Sequence, residues 1–216
     1  MKNWSCAFFG HSIYYYGPYY PKLKCLVVDL INRGVTHFYN GFRGAFDQLC
    51  ADLVYLLRKD YPHIKNVLVL SYKPKPDFVL PMYFDEAIYL QDNNVPPKFA
   101  ICNTNRKLVQ SVDFIISGVE RLTGGAKSTC DYAKRALKSM YNIVTNETQY
   151  WYVSPRDIEN TIREHEKRLK TDDEYCKKRD EHVQKLVDIA EKYVKKCKKR
   201  KTKDNSQPVW VTVEIN

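Results

Sequence analysis

Trp4 to Phe9 is a short apolar run ending at Gly10-His11, and behind it Leu23, Leu26, Val27, Leu30 and Ile31 recur at spacings of three and four. The first pattern predicts a strand and the second an amphipathic helix. The unit then repeats. Val35 to Tyr39 is β-branched and aromatic, Asn40-Gly41-Phe42-Arg43-Gly44 interrupts it, and Phe46, Leu49, Cys50, Leu53, Leu56 and Leu57 share one helical face. Asn66 to Leu70 is a third continuous apolar run, as expected of a strand covered on both faces in a parallel sheet.

Prolines and polar residues between Tyr72 and Pro97 imply irregular loops around a short helix near Phe84 to Tyr89. Order returns with a helix over Asn103 to Gln110, a strand over Val112 to Ser117, a helix over Gly124 to Leu137 and a strand over Asn142 to Thr145. Alternating β and α elements with short links define an α/β fold: a Rossmann-like open parallel sheet with helices on both faces and right-handed crossovers. In that architecture a ligand lies beyond the carboxyl ends of the strands, where the strand order reverses.

From Ser154 the chain changes character. Ser154-Pro155 supplies an N-cap and a first-turn proline, and Asp157 suits the positive end of a helix dipole. Thr171-Asp172-Asp173-Glu174 has capping-box spacing, which predicts a break and a second helix striped by Val183, Leu186, Val187, Ala190, Tyr193, Val194 and Cys197. Val209, Val211, Val213 and Ile215 alternate with polar and aromatic residues as a strand would. The expected division is a Rossmann-like domain over 1–150, a basic C-terminal helical extension over 151–203, and a tail over 204–216 that carries the terminal strand.

The 216 residues are 44% apolar and 28% charged, a globular composition with ample material for a core. No segment approaches the roughly 20 apolar residues of a bilayer span, and the first residues lack a signal-peptide layout, so the expectation is a cytoplasmic protein with no membrane contact. The seven cysteines are scattered and never form C-x-x-C, which predicts neither a disulfide framework nor a metal site. Of the net charge of +10, much sits between Lys192 and Lys203, a stretch with eight basic groups and no acid. Lys195 to Lys203 could contact nucleic acid or an acidic partner, or could simply end a helix in solvent.

Three glycine-containing turns fall at the carboxyl ends of expected strands: Gly10-His11, Gly41 to Asp47 with Gly44, and Thr123-Gly124-Gly125-Ala126. Glycine lets backbone approach a phosphate, and a following helix presents free N–H groups with partial positive charge. Arg43 and Arg106 suit phosphate recognition, the alternative being surface ion pairs. Asp47 could accept from a ribose hydroxyl or only order its turn, and His11 could donate to phosphate, act as an acid or brace its loop. Tyr14, Tyr15, Tyr16, Tyr19 and Tyr20 could stack on a base or cover the sheet edge.

The order of these motifs resembles the SLOG superfamily, related to the DprA and LOG proteins, and within it the YpsA-like branch, over about residues 4 to 146. The resemblance rests on Phe8-Phe9-Gly10-His11-Ser12, on Gly41, Gly44 and Asp47, on Asn105-Arg106 with Ser111-Val112-Asp113, and on Gly124-Gly125-Ala126 with Tyr132-Ala133-Lys134. It implies a binding or sensing domain for a nucleotide or nucleotide-derived ligand such as an ADP-ribose relative. Gly10, His11, Gly41, Arg43, Gly44, Asp47, Asn105, Arg106, Gly124 and Gly125 would hold that ligand. Ser12 stands where arginine is usual, Asn40 replaces a glycine, and Ala126 replaces a threonine. The signature of the LOG enzymes, which cut the bond between ribose phosphate and base, is broken at Thr123, Lys127, Ser128 and Asp131. Asp131 is the carboxylate that would stand in for their glutamate if the chain were a phosphoribohydrolase. The leading expectation is a binding protein, with a hydrolase and a nucleic-acid adaptor as alternatives and a homo-oligomer as a possible assembly.

Overall fold

In a computed structural model, residues 4–90 and 95–171 are described, together with 177, 180, 181 and 184. The apolar stripe from Val183 to Cys197, the basic run to Lys203 and the strand over 209–215 lie outside the described residues. Six strands are parallel: β1 (Trp4–Gly10), β2 (Val35–Asn40), β3 (Lys65–Leu70), β4 (Glu86–Tyr89), β5 (Phe114–Gly118) and β6 (Ser139–Asn142). A two-residue β7 (Thr148–Gln149) runs antiparallel to β6. The helices are α1 (Tyr20–Asn32), α2 (Ala45–Leu57), α3 (Pro97–Ser111), α4 (Gly125–Arg135) and α5 (Pro155–Thr171).

The strand order is β4-β3-β2-β1-β5-β6-β7. The chain therefore builds outward from β1 to β4, crosses back over the sheet, and builds the other way from β5. This is the Rossmann-like α/β sheet, with its topological reversal between β1 and β5.

Burial explains why β1 shows no polar alternation. Cys6 and Phe8 enter one core with Leu23, Leu26 and Leu30 of α1 and Phe46, Leu49 and Leu53 of α2. Ala7 and Phe9 enter a second core with Leu108 and Val109 of α3 and Cys130 and Ala133 of α4. A strand whose successive side chains point to opposite faces must be apolar throughout when both faces are covered. Trp151, Val153 and Ile158 belong to the first core, with Ile162 packed against it, so α5 is seated on the α1 side.

Three expected elements differ. Phe84 to Tyr89 holds the edge strand β4, not a helix. Asp85 starts the ladder by exchanging bonds with Asn66: its amide donates to the Asn66 carbonyl (2.9 Å) and its Oδ2 accepts from the Asn66 amide (2.8 Å). α3 begins six residues earlier than expected, because Pro97 sits in the first turn, where a missing N–H costs nothing. The strand placed over Asn142 to Thr145 is instead β6 at Ser139–Asn142. Pairing with Phe114–Ser117 fixes that register, and the chain then turns, with Asn146 at φ +59°. Among the described residues no helix is long and apolar enough to cross a membrane.

The loops after β1 and β2 meet backbone to backbone at Gly44. Ala45 N donates to Ser12 O (3.0 Å), and a Cβ on Gly44 would lie 2.3 Å from Ser12 Cα. Gly44→Ala should therefore destabilise the fold by about 1–3 kcal/mol. Thermal melting should show this as a drop of several degrees, at roughly 2–4 °C per kcal/mol for a domain of this size.

Candidate functional site

The site grows from the reversal point. Gly10 and Gly118, the last residues of β1 and β5, are register partners. The buried Tyr16 hydroxyl donates to Gly118 O (2.5 Å) and accepts from His11 N (2.9 Å). His11 then reaches across: its Nε2 accepts from the amides of Glu120 and Arg121, each at 3.1 Å. A ring nitrogen that accepts carries no proton, so the imidazole is neutral with its proton on Nδ1. Burial lowers the His11 pKa below its ordinary value, and Arg121 lowers it further, with Glu120 opposing. Of the roles open to His11, the geometry provides the brace.

Beyond β2, Asn40 organises the next loop. Its Oδ1 accepts from Phe42 N and its Nδ2 donates to Asp47 O, both at 2.6 Å. This Asx-type turn holds Phe42 at φ +49°, a conformation unusual for a bulky residue. Asp47, in the first turn of α2, accepts at Oδ2 from Arg43 N (2.8 Å), and the Gly44 amide also bonds to its carboxylate. The Arg43 guanidinium donates to the buried Ser71 hydroxyl at the end of β3. Asp47 is half-buried, with the turn of Gly41 to Gly44 folded over its carboxylate. That loss of hydration pushes its pKa up to about 6 against the Arg43 amide and guanidinium and the Gly44 amide.

The third wall comes from α3 and α4. Gly124 caps α4 at φ +108°, a conformation suited to glycine, and no side chain bonds to the capping position. The first turn of α4 contains no acid. Asn105 Nδ2 donates to Thr129 Oγ1 (3.2 Å), whose own hydroxyl donates to Gly125 O (2.9 Å), so α3 anchors the start of α4.

These three walls enclose a cavity of about 350 Å³. Gly10, His11, Gly41, Arg43, Gly44, Asp47, Asn105, Gly124 and Gly125 all line it. Arg106 does not: one residue is about 100° around a helix, and its guanidinium lies 5.7 Å from the centre of the Tyr132 ring. Asp131 is also outside the lining and pairs with Lys127 one turn earlier on α4. Tyr14, Tyr16 and Tyr19 pack on one another, with Tyr14 and Tyr16 rings 4.7 Å apart, and belong to or rest against the first core. They cover the sheet edge and do not line the cavity.

Sequence reasoning missed Arg121, and Ile101, Thr104 and Leu108 of α3, all of which line the cavity. The α3 residues, with Asn105, are spaced at i, i+3, i+4 and i+7, a face that was readable once the helix was started at Pro97. Nothing in the spacing marks Arg121. Its place follows from His11 holding its amide. Among the described residues, Asp47 is the carboxylate of the lining, beside Arg43, with Arg121 also in the lining, and no group of acids, histidines and cysteines could hold a metal ion.

No protein-family model and no curated protein sequence matches the chain. Solved structures that are similar in part include DNA processing protein A from Helicobacter pylori, described for its single-stranded DNA binding mode. It has 15% identity and a TM-score of 0.47, with 65% of each chain covered. DNA processing protein A from Streptococcus pneumoniae is 13% identical with a TM-score of 0.48, over 74% of this chain and 55% of that one. The molybdenum cofactor carrier protein from Chlamydomonas reinhardtii is 12% identical with a TM-score of 0.42, over 65% of this chain and 76% of that one. The chain thus spans 65% and 55% of the two DNA processing proteins it matches.

Two titratable groups of the cavity wall, Asp47 and His11, give opposite pH signatures. Asp47 has a folded pKa of about 6 against an ordinary 3.8, so between those values the folded state binds more protons and Asp47 lowers stability as pH rises. His11, with a folded pKa below 6.5, lowers stability as pH falls beneath that value. The melting temperature of Asp47→Asn relative to the wild type should therefore be higher at pH 7 than at pH 4.5. Equal differences at both pH values would contradict the raised pKa of this carboxylate.

Proposed function

We propose that the cavity binds a nucleotide or nucleotide-derived molecule through its phosphate, and that the protein is a binding or sensing module. One observation carries this reading: the start of α4 opens on the cavity with neither a capping side chain nor a first-turn acid. Such a helix end offers several N–H donors and partial positive charge to an anion. At the start of α2, by contrast, the Asp47 carboxylate already accepts from the Arg43 and Gly44 amides, and Ala45 N donates to Ser12 O. Arg121 adds a permanent charge, and Val69, Ile101 and Leu108 supply an apolar wall for the uncharged part of the ligand. The position at the β1/β5 reversal is where open α/β sheets hold their ligands. A volume near the lower end of the roughly 300–1,000 Å³ of ligand pockets suits a single nucleotide unit.

Phosphoribohydrolase action draws less support, since Asp131 is engaged by Lys127 away from the cavity. Native mass spectrometry with a panel of ribonucleoside 5′-monophosphates and ADP-ribose tests these readings and reports the subunit count. One ligand per chain is expected. Arg121→Ala, and Gly125→Pro, which deletes one first-turn N–H at a position with open space around it, should each weaken binding at least tenfold. Unchanged affinity in both variants would sink the site assignment, and release of free base would bring the hydrolase reading forward.

A further inference from the structure

The α2 end of the cavity is chemically unlike the α4 end. Just ahead of α2 the Arg43 and Gly44 amides are turned onto the Asp47 carboxylate, so a phosphate placed there would meet an anion already in its position. Arg43 is likewise held, one N–H on Ser71 and its charge beside Asp47. What remains is unused bonding capacity of both kinds. A carboxylate accepts at about four lone-pair sites, of which the Arg43 and Gly44 amides occupy two, and a guanidinium carries five N–H groups.

The two groups converge on one open point. A methyl built on Gly41 would lie 3.6 Å from Arg43 Cζ and 3.7 Å from Asp47 Oδ2, ordinary contact distances. A group seated beside Gly41 therefore meets an acceptor and a donor together. A hydroxyl both donates and accepts, and a vicinal pair of hydroxyls presents this twice at adjacent carbons. A lone cation would satisfy the carboxylate and leave the guanidinium without an acceptor.

We propose that Asp47 and Arg43 form a diol subsite that reads the ribose hydroxyls and selects ribonucleotides over 2′-deoxyribonucleotides, with the phosphate directed toward α4. The inference rests on the phosphate reading of the α4 end. Sites built to hydrogen-bond a substrate hydroxyl discriminate strongly against the analogue without it, because the buried partner is left unpaired.

The test is a titration of the full chain with ribonucleoside 5′-monophosphates and their 2′-deoxy counterparts, in the wild type, Asp47→Asn, Gly41→Ala and Arg121→Ala, with melting curves as the check on folding. The wild type should bind the ribo form at least tenfold more tightly. Asp47→Asn should lose that preference by weakening the ribo form alone. Gly41→Ala, which meets nothing closer than 3.6 Å and fills the open point, should do the same should Asp47→Asn fail to fold. Equal wild-type affinity for both sugars, with both weakened in Arg121→Ala, would overturn the diol subsite and leave the phosphate site standing. A ribo preference that survives both Asp47→Asn and Gly41→Ala would also overturn it. Binding of neither form would overturn both.

Discussion

The junction of β1 and β5 is the constraint from which the rest follows. Two parallel strands that end side by side must send their loops apart, one into α1 and the other toward α4, and a cleft opens between them. Here the cleft is pinned at its root by one buried phenol, Tyr16, bonded to both strand ends. The ring of Phe46 lies where side chains on Gly10 or Gly118 would be, at 2.3 Å and 2.7 Å from their Cβ positions. Bare strand ends let the first turn of α2 come down onto the sheet, and that descent carries Gly41 to Asp47 to the cavity wall.

Charge then divides the cavity. Both α2 and α4 begin at its rim after a glycine, so by local sequence they have equal claim on an anion. The structure breaks the tie, because α2 has its own carboxylate and α4 has none in its first turn. Desolvation makes the Asp47 carboxylate costly where it stands, and a group kept at such cost is well suited to an energetic role in recognition.

The central sheet was legible because β1 and β3 are buried on both faces, and continuous apolar runs fit few positions other than the middle of a covered parallel sheet. β4 was not, since a four-residue edge strand, three residues half-covered and Tyr89 exposed, between polar loops carries no periodic signal, and its existence depends on Asn66 and Asp85 across the ladder. β6 slipped by three residues because pairing with β5 outweighs local propensity. The glycine turns located the cavity, as strand ends share one edge of the sheet. Arg106 fell outside the lining for a different reason: sequence adjacency to a site residue says nothing about direction on a helix, while for the tyrosines the covering role is the one of the two open readings that burial selects.

The contact between α5 and the domain has a mechanical meaning. Asp29 of α1 accepts from the Trp151 indole (2.9 Å) and from Arg33 (2.8 Å), and Arg33 in turn donates to the Tyr152 carbonyl (3.3 Å). Trp151 is wedged edge-on between Phe114 of β5 and Tyr141 of β6, with Val153 and Ile158 sunk beside it. A force applied to α5 is therefore delivered to the same central strand whose far end, at Gly118, pairs with Gly10 of the cavity lining. The helix is a lever arm with its fulcrum in the core, and torque upon it is felt in β5.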